Sequence, residues 1–232
     1  MTVNRRTHSR SHSRGHQPSR TQAERREHTR RALLDAALKL MDAGESFESV
    51  SLRSVTRTAG VVPGAFYRHF SSMDELALAL VDESFRTLRA LLREARAAGP
   101  PPQRAIRRSV GVLVEQVLAN RQHFTLIARA RTSGNGVLRH AVNNEIRLIT
   151  SELATDLARF PVLRDWSTAD LQMLAGLFVD VMIAAIEAMV EVAGGALDPE
   201  APAPEGEAEI AALTAKRLRL IVLAIPHWRS SP

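Results

Sequence analysis

Residues 51–70 read SLRSVTRTAGVVPGAFYRHF, and the reading of the 232-residue chain turns on them. Ser51 stands ahead of Leu52, Val55 and Ala59 as an N-cap, which predicts a short helix of about two turns ending at Gly60. Val61 and Val62 make the turn, and Pro63, accepted in a first helical turn, opens a second short helix expected to run to His69. Two short helices broken at a glycine have the layout of a helix-turn-helix, whose second helix enters a major groove. The segment holds Arg53, Arg57 and Arg68 and no acidic residue, and Leu52, Val55, Ala59, Phe66 and Phe70 can supply a small core. A surface hairpin with chance positive charge is the other reading. It does not explain an acid-free second helix carrying Tyr67, Arg68 and His69.

Working outward, charge gathers on the same side of the chain. Residues 1–70 hold 13 of the 31 Lys and Arg but 6 of the 25 Asp and Glu, leaving the remainder near neutral. A basic segment on a near-neutral body points to a polyanion-binding module joined to a domain with another task. DNA, RNA and an anionic membrane attract arginine through the same long-range field, so charge alone leaves all three open. Residues 1–19, rich in Arg, Ser and His, contain too few apolar side chains to bury surface and are expected to form a disordered basic tail. His8, His12 and His16 recur every fourth residue, but a Ser/Gly/Arg run offers them neither a helix nor an acidic second shell. They read as part of an arm touching phosphates rather than a metal site.

From about Ala23 the spacing is helical, with Leu33, Ala36, Ala37, Leu40 and Met41 on one face and Gly44 as the stop. Ser72 and Glu75 predict a capping box opening a long helix with Leu76, Leu80, Leu88, Leu91 and Leu92, halted at Gly99 and three prolines. Helical patterns follow over about 102–120, 123–130, 136–159, 168–192 and 207–227, with a Gly/Pro-rich loop over 194–206. No alternating strand pattern is found, so the expected class is all-α, with a basic helix-turn-helix module over 20–70 and a larger helical body over 71–232.

Composition narrows the function further. At 45% apolar and 24% charged the chain is an ordinary globular one, and without cysteine it has no disulfide scaffold or thiol nucleophile. No phosphate loop, GxSxG turn or HExxH helix is present, so neither an enzyme nor a cofactor is expected. The apolar stretch 171–193 is interrupted by Asp180, Glu187 and Glu191 and reads as a buried helix rather than a membrane span. The N-terminus lacks the apolar core of a signal peptide, so a cytoplasmic location is expected. A basic-tailed protein binding an anionic membrane is the rival from another class, but the tail has no Trp, Phe or Leu to insert.

Residues 51–70 closely resemble the TetR family of transcriptional regulators, and the layout of a three-helix domain before a variable helical body is similar as well. Within that family, residues 65–84 (AFYRHFSSMDELALALVDES) and 131–134 (RTSG) look like the fatty-acid desaturation repressors of the FabR and DesT type. The resemblance implies that Pro63, Gly64, Ala65 and Arg68 face base edges, while Tyr67, His69, Ser51 and the arm of helix one touch phosphates, with Arg30 and Arg53 completing the DNA-binding set. Small residues allow close approach to the groove, and Arg68 suits a bidentate bond to guanine. His69 has a second reading as a packing or capping residue. Many family members carry a lysine where this chain has Met73, so one phosphate contact is absent.

The apolar helical body suggests a sensor. Leu88, Leu92, Val110, Val114, Phe124, Phe178, Met182 and Ile186 are candidates to line its pocket, and each also suits plain core. The resemblance implies a long-chain acyl-CoA effector, its tail in this apolar region and its anionic head near Arg129 and Arg131. An ion pair between helices is the other reading of those arginines, and a drug or other lipophile is the alternative effector. Reading a palindromic operator requires two recognition helices about 34 Å apart, so a homodimer is expected. The resemblance implies that 71–232 is an effector-binding and dimerisation domain with its interface on the last two helices, where Leu171, Leu174, Phe178, Ile221 and Ile225 are apolar enough to form it.

Overall fold

The computed structural model describes residues 21–97, 105–194 and 206–230; the expected tail over 1–19 lies outside them. The described residues are helical, without strands, as the absence of alternating patterns predicts. They form α1 (Gln22–Asp42), α2 (Leu52–Thr58), α3 (Pro63–Phe66), α4 (Met73–Ala97), α5 (Ala105–Ala119), α6 (Arg121–Ala130), α7 (Gly136–Leu157), α8 (Thr168–Gly194), α9 (Glu207–Ala224) and a closing 3₁₀ turn (Ile225–His227).

Local chemistry sets the boundaries. α1 opens on a capping box: the Thr21 hydroxyl accepts from the Glu24 N–H at 3.2 Å and the Glu24 carboxylate accepts from the Thr21 N–H at 2.7 Å. It ends ahead of Gly44, whose φ of 109° only glycine adopts cheaply. Ser51 caps α2 as its spacing predicts, with Ser54 answering in the role usually filled by Glu or Gln. Gly60, at φ 69°, turns the chain toward Pro63.

Two local expectations are revised. α3 ends at Phe66 rather than His69, because Arg68 N–H bonds Ala65 O and His69 N–H bonds Phe66 O, three-residue steps that tighten the chain into a turn. That turn brings Phe70 beside Phe66, ring centroids 5.6 Å apart and both buried. At α4, the Ser72 hydroxyl does accept from the Glu75 N–H, but the Glu75 carboxylate reaches Ser71, taking its N–H and hydroxyl, each at 2.6 Å. These bonds hold the Glu75 carboxyl below its ordinary pKa.

The apolar faces assemble into three clusters. The first joins Leu33, Leu34, Val55, Phe66 and Phe70 of the N-terminal helices to Leu76, Leu80 and Phe85 of α4, and on to Leu126, Leu138 and Val142 of α6 and α7. The small N-terminal domain therefore shares its core with the body rather than closing on itself. A second cluster packs α5, α6, α8 and α9 around Val117, Phe124, Ile186, Met189 and Ile210, and a third packs α7, α8 and α9 around Leu163, Leu171, Leu174 and Ala175. α8 is long and apolar enough to cross a membrane by length and composition, with mean hydropathy 2.1 over its best window. Here it packs against α6, α7 and α9, and its Glu187 pairs with Arg131 at 2.5 Å.

Candidate nucleic-acid interface

The face of the N-terminal domain is built by what lies beneath it. Phe66 and Phe70 point inward, so the residues between and before them are turned out: Val62 is 71% exposed and Tyr67 65%, with Pro63, Gly64 and Arg68 exposed beside them. The two valines of the turn thereby divide, Val61 toward the core and Val62 toward solvent. A Cβ added at Gly64 would meet nothing within 4 Å, so this edge of α3 is open to a surface pressed against it.

Arginine surrounds this face from two sides. Arg53, on α2, is exposed. From α1, the Arg30 guanidinium lies over the Phe70 ring at 5.4 Å, a cation–π contact that leaves it part-exposed, and Arg26 reaches the Arg68 carbonyl at 3.5 Å. Arg26 falls outside the set expected from the sequence; its spacing of four from Arg30 is the signal that places both on one helix face. The His69 imidazole is held below its ordinary pKa of 6.5, first by burial and then by the positive charges of Arg26, Arg30 and Arg68, against an opposing pull from Glu27. That environment disfavours one more positive charge and favours an incoming anion.

Ser51 serves first as a cap, its hydroxyl accepting from Ser54 N–H at 3.1 Å while the residue stays exposed. The structure thus brings Arg30, Pro63, Gly64, Ala65, Tyr67, Arg68 and His69 onto or beside one face, with Ser51 and Arg53 at the start of α2.

The residues suggested for effector binding are dispersed. Leu92 packs on the first cluster, Leu88 on the first and second, Val114, Phe124 and Ile186 in the second, and Phe178 on the third; Val110 is buried and Met182 half-buried. The two arginines have partners inside the chain. Arg129 donates to the Met41 carbonyl at 2.6 Å and Arg131 pairs with Glu187. A groove of about 620 Å³ lies instead between the α1–α2 loop and the α6–α7 turn, lined by Met41, Phe47, Glu48, Arg129, Ser133 and Leu138 among others. A part-buried contact also joins α4 to α6, Ser84 Oγ and His123 Nδ1 lying 2.9 Å apart, and burial lowers the His123 pKa.

The family model described as bacterial regulatory proteins, tetR family, matches residues 33–80. Among solved structures, the fatty acid degradation regulator FadR from Bacillus halodurans superposes with a TM-score of 0.63 at 14% identity, covering 88% of this chain and 97% of its own. FadR from Bacillus subtilis, solved in complex with stearoyl-CoA, gives 0.63 at 13% identity, covering 83% and 97%. NalD, the secondary repressor of the MexAB-OprM multidrug efflux pump in Pseudomonas aeruginosa, gives 0.57 at 19% identity, covering 82% and 96%. Residues 33–80 therefore belong to a TetR-type N-terminal DNA-binding domain, and the chain sets that domain on a larger, all-helical C-terminal body.

Proposed function

We propose that the protein is a ligand-responsive, sequence-specific transcriptional regulator, a repressor of fatty-acid or lipid metabolism genes, desaturation among them, that senses long-chain acyl-CoA. The observation that carries the DNA-binding part is the outward face of residues 62–69, acid-free and flanked by Arg26, Arg30 and Arg53, over the buried Phe66 and Phe70. Arg68 and the small residues Gly64 and Ala65 read base edges, while Tyr67, His69, Ser51, Arg30 and Arg53 meet phosphates. The acyl-CoA part is supported by the fold shared with two FadR proteins, one of them holding stearoyl-CoA. The fold shared with NalD favours a second reading, a repressor answering to drugs or other lipophiles.

A palindrome reader works as a homodimer, and α8 and α9 carry the surface for it. Leu171 and Leu174 are used inside the chain, with Phe178, Ile221 and Ile225 packed against them. The side chains open to a second copy are one step round the helices: Met173 and Leu177 on α8, Leu220 and Leu223 on α9, each 44% or more exposed.

Fluorescence-anisotropy titration on duplexes from upstream of its own gene and neighbouring lipid genes, with nonspecific DNA as control, tests the whole reading. A specific duplex whose affinity changes with saturated against unsaturated acyl-CoA is the expected result, since only differential binding shifts the equilibrium. Specific binding that no acyl-CoA alters rejects lipid sensing and leaves the lipophile reading. Binding to anionic liposomes without duplex preference rejects the regulator itself.

A further inference from the structure

The loop between α1 and α2 carries Glu48, an exposed residue set between two buried ones, Phe47 and Val50, and three positions before the Ser51 cap of α2. Its carboxylate does not simply face solvent. Oε1 accepts from the Ser133 hydroxyl and from the Asn135 N–H at 2.7 Å, both in the turn between α6 and α7. Those bonds, the Ser133 hydroxyl foremost, hold the Glu48 pKa down to about 2, so the carboxylate stays charged across the physiological range.

The captured turn is itself fastened on three sides. The Asn135 side chain caps α7 by accepting from Leu138 N–H at 2.8 Å, and donates to Asp74 at the start of α4 at 3.3 Å. The Ser133 carbonyl accepts from Arg139, and Arg131 at the other end is paired to Glu187 of α8. Between the two donors, Gly134 leaves room for the carboxylate: a Cβ there would lie 3.3 Å from Glu48 Oε1. α1 is held separately at its end, by Arg129 on the Met41 carbonyl and by Arg121 and Thr125 on Asp42. Glu48 adds a polar tie to the apolar ones made by Phe47 and Val50, at the point where the chain enters α2.

From this geometry we propose that Glu48 is a positioning residue for DNA recognition, its clamp on the 133–135 turn setting the angle at which α2 and α3 are presented and hence the half-site spacing that a dimer accepts. The proposal rests on the reading of the protein as a dimeric operator binder. It separates two properties of the DNA interface: contacts within one half-site, which Glu48 does not touch, and the register between half-sites, which depends on how rigidly each reading unit is held to the body.

The test uses the full chain. A preferred duplex is selected from a random-sequence library, then its half-sites are moved apart or together by one and two base pairs, with a single half-site as reference. Glu48→Ala is expected to lower affinity for the best spacing about tenfold, the order of one charge-assisted hydrogen bond, and to bring the altered spacings level with it. Half-site affinity stays unchanged. Gly134→Ala, which crowds the carboxylate without removing it, shifts the profile the same way by less, and Glu48→Gln, still an acceptor for both donors, retains the wild-type preference. Faster amide exchange at Asn135 in Glu48→Ala is expected without any DNA. An unchanged spacing profile in Glu48→Ala, or an equal loss on the single half-site, overturns the positioning role while leaving the regulator reading intact. A wild-type protein that selects no duplex overturns the regulator reading and the positioning role together.

Discussion

Arg68 and His69 are neighbours beside the outward face, Arg68 exposed and His69 half-buried. A bidentate arginine contact to a guanine edge is worth about 1–3 kcal/mol of discrimination. Arg68→Ala is therefore expected to lose roughly 10- to 100-fold in affinity for the preferred duplex and to relax selection at one base-pair position. Uniform weakening across all positions in a binding-site selection would place Arg68 on phosphate instead. His69 starts below its ordinary pKa through burial and the charges of Arg26, Arg30 and Arg68. A phosphate beside it offsets those causes and raises the pKa on binding, so the complex takes up a proton and affinity grows as pH falls through and below 6.5. His69→Gln removes that slope; equal pH profiles for the two proteins would show that His69 only packs. At this scale the sequence is legible where a residue's role is local, as at Ser51 and Gly60. Arg26 and Glu48 escape such a reading because their partners, Arg68 and the 133–135 turn, are 42 and about 86 positions away.

A helix of four residues cannot hold itself, since a first turn costs more backbone order than its bonds return. α3 is held by Phe66 and, one turn on, by Phe70, both in the first cluster. Phe66→Ala is expected to cost about 3–5 kcal/mol in urea unfolding, against a few tenths for the exposed Tyr67→Ala. A destabilisation of only about 1 kcal/mol would mean that Pro63 and the flanking turns suffice. The shared core gives a further consequence: because Phe66 and Phe70 pack in the same cluster as Leu76 and Leu126, the mutant should melt in one lowered transition, not as a separately unfolded N-terminal domain. Helix order can be read from spacing and caps, since period and N-cap chemistry are properties of neighbouring residues. The effector lining cannot. Spacing tells which face of α4, α5 or α8 is apolar, but Leu92, Val114 and Phe178 share that property and lie against three different clusters. The ion-pair reading of the two arginines is met at Arg131, paired to Glu187, while the Arg129 bond to the Met41 carbonyl joins positions that spacing does not connect.

For the molecule as a whole, charge is divided as labour is: the excess of positive charge sits in residues 1–70 and the rest is near neutral. Part of that excess, Arg5, Arg6, Arg10 and Arg14, falls in the first 19 residues of the sequence. A basic arm that follows the backbone adds affinity by releasing counterions and reads no bases, whereas Arg68 reads a base and adds little to salt dependence. Deleting residues 1–19 separates the two. The truncated protein is expected to bind every duplex more weakly, with the slope of log K against log salt reduced by up to about 3–4, near 0.9 for each phosphate that the arm no longer neutralises. Its preferred sequence should stay the same, because the α2–α3 unit and the Glu48 clamp are untouched. The measurement is a salt titration of anisotropy binding on the preferred and a scrambled duplex. An unchanged slope rejects the arm as a DNA contact, and a changed preference at an unchanged slope assigns it to base reading instead of phosphate neutralisation.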